Sequence, residues 1–296
     1  MTTWSVLRLA MAAAIVAAVI AQLVQSVSNA VDAGRHVPTI ITNFFSFFTI
    51  LSNVSAAVVL VVAALWFLTR GRGRDAEPTG IAVALACVTT YMVITGLVYN
   101  TLLRGYDLEP GAVVPWSNEV LHLIGPLFLL ADLFVGPLRR ALPWRTVWAI
   151  VAFPIVWVVY TMIRAPFITN PGSGDPFWYP YPFLNPNFAD LQPISGYPGV
   201  VLYVIGISVA IIAVGALVVW WGRRVGARMP DSGAAPTRPE VPADAPGPTR
   251  PEAPLDAPAA SGGAVGTASG GTVGTAPGDG AGTVETAGSP AAAPDA

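Results

Sequence analysis

The sequence predicts an all-α membrane protein: a six-transmembrane-helix bundle with an aromatic and proline-rich outer loop and a disordered C-terminal tail. Three observations carry this prediction. Of the 296 residues, 54% are hydrophobic and only 11% are charged, far from the averages of soluble chains. Six apolar runs stand out, each near the roughly 20 residues that cross about 30 Å of hydrocarbon. Arginine gathers in every second loop.

The runs are Val6–Val27, Ile41–Leu68, Thr79–Leu103, Glu119–Pro137, Thr146–Ile163 and Gly199–Trp221. The first resembles a secretory signal in its short leading segment with Arg8 and its small residues near Ala30. Its apolar core of about 16 residues is long for a signal, and it reads as a membrane helix. Arg70, Arg72 and Arg74 follow the second run, Arg139, Arg140 and Arg145 the fourth, and Arg223, Arg224 and Arg228 the sixth. The remaining loops are neutral or acidic. Positively charged loops stay in the cytoplasm, so both termini are expected there. Pro126 and Pro154 fall inside predicted helices, where each should kink the chain and free carbonyls toward the bundle centre.

Between the fifth and sixth runs, residues 165–198 hold eight prolines and eight aromatics, including W-Y-P-Y-P-F-L-N-P at Trp178–Pro186. Proline bars a regular helix, and aromatic rings suit the headgroup region, so an ordered cap over the outer end is expected. The composition divides the chain into a transmembrane domain, residues 1–228, and an Ala/Pro/Gly/Thr-rich cytoplasmic tail, residues 229–296. The tail contains a twelve-residue near-repeat beginning at Pro236 and again at Pro248. Neither copy has an apolar face to bury, which predicts disorder. Residues 1–230 carry 13 Arg against 9 acids, and the remainder 2 Arg against 8 acids.

Composition also excludes function classes. All 15 basic residues are arginine, so no lysine is present to form a Schiff base with a carbonyl substrate or cofactor. Cys87 is the single cysteine, which rules out an intramolecular disulfide or a thiolate cluster. Two histidines, His36 and His122, are too few for a histidine-rich metal site. No cofactor is expected. No basic cluster suggests nucleic-acid binding, membrane lipids are the expected partners, and protein partners are not indicated.

The stretch Asn43–Asn53, N-F-F-S-F-F-T-I-L-S-N, places five polar side chains at the start of an apolar run. On one helix, Ser46, Thr49, Ser52 and Asn53 share a face, which in a membrane must look toward protein or water. With the arginine-rich loops inside, Thr49 on the second run and His122 on the fourth fall at similar depths, about 10 and 6 Å below the outer surface at 1.5 Å per residue. A neutral imidazole can take the hydroxyl proton of a threonine as it attacks an ester, and return it to the leaving alkoxide. Asn43, Asn53, Asn100 and Asn118 are candidate donors to the oxyanion, with Ser52 as further polar support. Glu119, one turn before His122, either orients the imidazole or is a solvated helix-start carboxylate. Asp132, ten residues past His122, is about 15 Å away along the axis and is expected to bond a neighbouring helix or an arginine.

Three segments, F-F-T-I-L-S-N, N-E-V-L-H-L-I-G-P-L-F-L-L-A-D (Asn118–Asp132) and the W-Y-P-Y-P-F-L-N-P loop, resemble an actinobacterial family of predicted six-transmembrane membrane proteins. That family is remotely similar to the eukaryotic androgen-induced membrane proteins, threonine hydrolases of fatty acid esters of hydroxy fatty acids. The resemblance covers about Val6–Arg224. It implies a bacterial inner-membrane location, an intramembrane threonine nucleophile matched by Thr49, a histidine partner matched by His122, and a lipid ester substrate.

The first reading is therefore a polytopic lipid ester hydrolase. The alternative is a non-enzymatic membrane protein that binds a lipid or a partner through its aromatic cap. A transporter ranks last, because no inverted three-plus-three repeat is visible.

Overall fold

A computed structural model of the chain describes residues 1–105, 111–137 and 140–226; the expected tail lies outside them. The described residues contain no strand. Eight α-helices occur among them: α1 (Thr2–Asp32), α2 (Val37–Phe44), α3 (Phe48–Trp66), α4 (Thr79–Val98), α5 (Pro115–Glu119), α6 (Gly125–Val135), α7 (Thr146–Arg164) and α8 (Gly196–Gly226). Wide π-type turns extend α3 through Gly71 and α4 through Leu103, and a third (Val120–Ile124) joins α5 to α6 in one rod. Among the described residues, six helical rods are long and apolar enough to cross a membrane, the architecture of a multi-pass membrane protein.

α1 packs on α3, α3 on α4, α4 on α6 and α8, and α7 on α8. Small side chains allow the first of these contacts: Ala12 and Ala18 of α1 and Ala56, Ala57, Ala63 and Ala64 of α3 are all buried. Without a hydrophobic force between helices in lipid, close backbone approach is what holds such pairs. A second core gathers α4, α7 and α8 around Tyr181, Phe183, Leu184 and Leu191 of the 165–198 loop. The expected cap is thus partly a plug, since these four side chains are buried among helices.

One expected helix is interrupted. The run Ile41–Leu68 divides between α2 and α3, because Phe47 is extended (φ −70°, ψ 132°). Ser46 therefore does not share a continuous helix with Thr49, Ser52 and Asn53, and the single polar face expected of them is corrected. The break contains neither Gly nor Pro; partners from α7 hold it. Trp157 Nε1 donates to the Ser46 carbonyl at 3.0 Å, Tyr160 Oη lies 3.2 Å from Ser46 Oγ, and Arg164 Nη2 donates to Asn43 Oδ1 at 2.7 Å. Residues 157, 160 and 164 follow helical spacing, so one face of α7 supports the whole break.

The arginine-bearing segments meet at the opposite end. Arg140 Nε donates to the Glu77 carbonyl at 2.7 Å, and Arg223 Nη1 to the Leu142 carbonyl at 3.1 Å. Asp132 finds the arginine partner expected of it: Arg8 of α1 donates through Nε and Nη2 to its two oxygens at 2.7 and 3.0 Å, and Trp4 Nε1 adds a third bond. Arg8 is 2% exposed and Asp132 0%. Removing one member of a buried pair strands the other charge, whereas removing both need not. Asp132→Ala should cost about 3–5 kcal/mol of stability, measured by unfolding in detergent micelles, and the double change Arg8→Met/Asp132→Leu should be less harmful than Asp132→Ala. Equal stability of Asp132→Ala and the parent would contradict this.

Candidate active site

Thr49 is the second residue of α3, where backbone N–H groups have no partner within the helix. Phe47, at the N-cap, supplies no side-chain cap. The hydroxyl of Tyr181, descending from the proline-flanked loop, takes that role: its oxygen accepts from the Thr49 N–H at 3.2 Å. The same hydroxyl lies 3.2 Å from Thr49 Oγ1. On its other side, Thr49 Oγ1 is 3.3 Å from His122 Nε2.

His122 sits in the wide turn Val120–Ile124, and the sequence explains the turn. Pro126 has no N–H to offer the His122 carbonyl four residues earlier. Gly125 N–H reaches back five residues to the Val120 carbonyl, which frees the Leu121 carbonyl as well. Two side-chain amides from neighbouring helices satisfy the freed oxygens. Asn100 Nδ2 donates to the His122 carbonyl at 3.1 Å, and Asn53 Nδ2 to the Leu121 carbonyl at 3.2 Å. Gly96 lets α4 come this close: a Cβ there would lie 3.0 Å from Pro126 Cβ and 3.2 Å from the His122 oxygen.

The tautomer of His122 follows from its second contact. Nδ1 lies 3.0 Å from the Asn118 carbonyl, which only accepts, so Nδ1 carries the proton and Nε2 keeps its lone pair. Thr49 then donates to Nε2, and Tyr181, with Oγ1's one hydrogen already committed, donates to Thr49. The result is a directed chain from Tyr181 O–H through Thr49 O–H to the imidazole. The ring is further fixed by stacking on Tyr99, with centroids 3.8 Å apart and planes inclined by 22°. Asn118 Nδ2 donates to the Tyr99 hydroxyl at 2.6 Å.

The other expected residues are placed around this chain, in supporting positions. Ser52 Oγ donates to the Thr49 carbonyl at 3.0 Å and meets Thr95 Oγ1 at 3.0 Å. Asn53 Nδ2 also donates to the Thr49 carbonyl, at 2.8 Å. The amide donors of Asn53, Asn100 and Asn118 are thus engaged with carbonyls or with Tyr99; Asn43 belongs to the α2–α3 break, where its Oδ1 accepts from Arg164 and its Nδ2 is buried without a partner among the described residues. Glu119 binds Arg104 through both oxygens at 3.0 Å; the bond at His122 Nδ1 comes instead from the Asn118 carbonyl. Arg104 holds the Glu119 pair at a partly exposed position, and Arg104 Nε also donates to Asn100 Oδ1 at 2.7 Å. Tyr181 was hidden from sequence reasoning. The proline on either side of it marks a rigid loop, yet nothing in the string distinguishes it from Tyr179.

A cavity of about 200 Å³ begins at Thr49, Tyr99 and Tyr181 and runs between α4, α7 and α8. Its wall spans Trp148 to Val158 of α7, about 15 Å of helix at 1.5 Å per residue. The lining is apolar except for Thr95, Ser208 and the three hydroxyl-bearing residues at the head. Trp148, Ile155 and Ile212 line it and are also exposed on the helix surfaces, so the cavity opens sideways through the apolar flank of the bundle.

Comparison with protein-family models, with curated proteins and with solved structures yields no match to this chain. The geometry of the site makes a spectroscopic prediction. In ¹⁵N-labelled protein at neutral pH, the His122 side chain should give the signature of a neutral ring protonated at Nδ1, and Asn118 contributes only its backbone to it, so Asn118→Ala should leave that tautomer in place. A ring protonated at Nε2 would contradict the assignment.

Proposed function

We propose that this multi-pass membrane protein hydrolyses lipid esters within the bilayer, with Thr49 as nucleophile and His122 as general base. The observation that supports the reading is the 3.3 Å approach of Thr49 Oγ1 to an unprotonated ring nitrogen, at the head of an apolar cavity. Proximity of a hydroxyl to a positioned base is the arrangement that activates a weak nucleophile. The lateral opening suits a substrate that arrives from the lipid phase, with its hydrocarbon chain along α7 and its ester at Thr49.

In this reading Oγ1 attacks the ester carbonyl carbon as its proton passes to His122 Nε2. The carbonyl electrons move to oxygen, forming a tetrahedral oxyanion. Collapse breaks the bond to the alcohol, which leaves with the proton from Nε2. Water then attacks the acyl-threonine, again giving its proton to His122, and the fatty acid departs as Oγ1 regains a proton. The Asn118 carbonyl keeps the ring in the tautomer this cycle requires, and the stacked Tyr99 holds its orientation.

In this reading the arginine-rich end lies in the cytoplasm, as the positive-inside rule expects, with both termini on the cytoplasmic side of a bacterial inner membrane and the site in the outer half of the bilayer. Membrane lipids are then both solvent and substrate source.

The test uses full-length protein in detergent or vesicles, a fluorophosphonate probe and long-chain fatty acid esters. The parent should label and cleave, Thr49→Ala should lose labelling, and His122→Ala should lower kcat by about 10²–10⁴-fold. Folded parent that neither labels nor cleaves any ester would overturn the reading and leave a lipid- or partner-binding membrane protein.

A further inference from the structure

We infer that Tyr181 is a third catalytic residue, its hydroxyl donating the hydrogen bond that holds the oxyanion formed when Thr49 attacks. The inference rests on the hydrolase reading above and names a group for which neither the histidine nor the asparagines can substitute. An acyl-transfer site needs a donor aimed at the place where negative charge develops. Of the four asparagines that sequence alone offers for this work, three are committed elsewhere, Asn53 and Asn100 to carbonyls of the wide turn and Asn118 to Tyr99, and Asn43, in the α2–α3 break, is not on the cavity wall. Tyr181 is at once within reach of Thr49 Oγ1, at 3.2 Å, and on the cavity wall, where a substrate carbonyl would enter.

Its geometry suits the change in charge. The Thr49 N–H, at the start of α3, donates to the phenol oxygen at 3.2 Å and so polarises the O–H bond that faces the site. Before attack, that proton points at Oγ1. Once Oγ1 has bonded to the acyl carbon, it has lost its proton to His122 and become an ester-like oxygen, a poor acceptor. The oxyanion hangs from the same carbon, two bonds from Oγ1, and rotation about the phenol C–O bond carries the proton to it. The proton is shared and never transferred, so the stoichiometry of the cycle is unchanged: ester and water give acid and alcohol.

The loop holds the hydroxyl still. Tyr181 stacks on Phe183 (centroids 5.2 Å apart, planes 5°), and Phe47 meets it edge-on at 5.6 Å. Phe183 in turn stacks on Tyr203 of α8. Pro180 and Pro182 stiffen the backbone on either side. Burial pushes the phenol above its ordinary range, against the hydrogen bonds from Thr49 and the backbone, so it remains a donor throughout neutral pH.

The experiment is steady-state hydrolysis of a long-chain p-nitrophenyl ester by full-length protein in vesicles, comparing parent, Tyr181→Phe and Thr49→Ala. Tyr181→Phe keeps the ring and its stacking partners; kcat should fall about 10²–10³-fold, the loss typical of one oxyanion donor, with KM unchanged. Replacing Tyr181 by fluorotyrosines of graded acidity should shift kcat in step with donor strength, which a packing role would not do. Parent and Thr49→Ala that hydrolyse equally would defeat the hydrolase reading itself. A parent that turns over through Thr49 while Tyr181→Phe keeps its full kcat would overturn this inference alone, as would a Tyr181→Phe defect confined to KM.

Discussion

Inside a bilayer no water can take up a stray peptide group, so each backbone donor or acceptor freed by an irregular turn must find a partner within the protein. That constraint governs this bundle. Pro126 frees the carbonyl of His122, and Asn100 meets it. The wide turn frees the carbonyl of Leu121, and Asn53 meets it. Pro154 can offer nothing to the Ile150 carbonyl, and the Tyr91 hydroxyl donates to it at 2.9 Å. The first turn of α3 leaves the Thr49 N–H open, and Tyr181 meets that.

These partners do more than satisfy valence. Asn53 bridges α3 to the wide turn, and Asn100 bridges α4 to it, so the helices that carry Thr49 and His122 are tied through the very carbonyls that Pro126 exposes. The imidazole is then trapped between Tyr99 and the Asn118 carbonyl, with one nitrogen left to face the threonine. The end of the bundle that carries the site is closed by loop side chains acting as core residues, while the opposite end is bound by Arg8–Asp132 and by arginines on backbone carbonyls. A neutral, hydroxyl-rich site and a charged clamp thus occupy separate regions of one fold.

Much of this was legible in the chain. Hydropathy gives six spans because length and apolarity are local properties, and Asp132 announced a partner because an unpaired carboxylate in hydrocarbon is too costly. Thr49 and His122 could be paired by counting residues from their loops. Other features depend on tertiary contacts and leave little trace in a linear pattern. The break at Phe45–Phe47 has no Gly or Pro; it exists because Trp157, Tyr160 and Arg164 line up to support it. Asn53 and Asn100 look like oxyanion donors until the geometry of the Pro126 turn shows which carbonyls they must serve. Tyr181 lies 132 positions from Thr49, and only the folded loop reveals that its hydroxyl points there.

The central claim is that these restraints deliver an activated threonine to a lipid-facing cavity, and its most direct consequence is covalent. Full-length protein mixed with excess long-chain p-nitrophenyl ester, quenched on the millisecond-to-second scale and mapped by peptide mass spectrometry, should carry the acyl group on Thr49. Ester cleavage that proceeds with no acyl group on Thr49 at any quench time, and at the parent rate in a chain lacking the Thr49 hydroxyl, would contradict it.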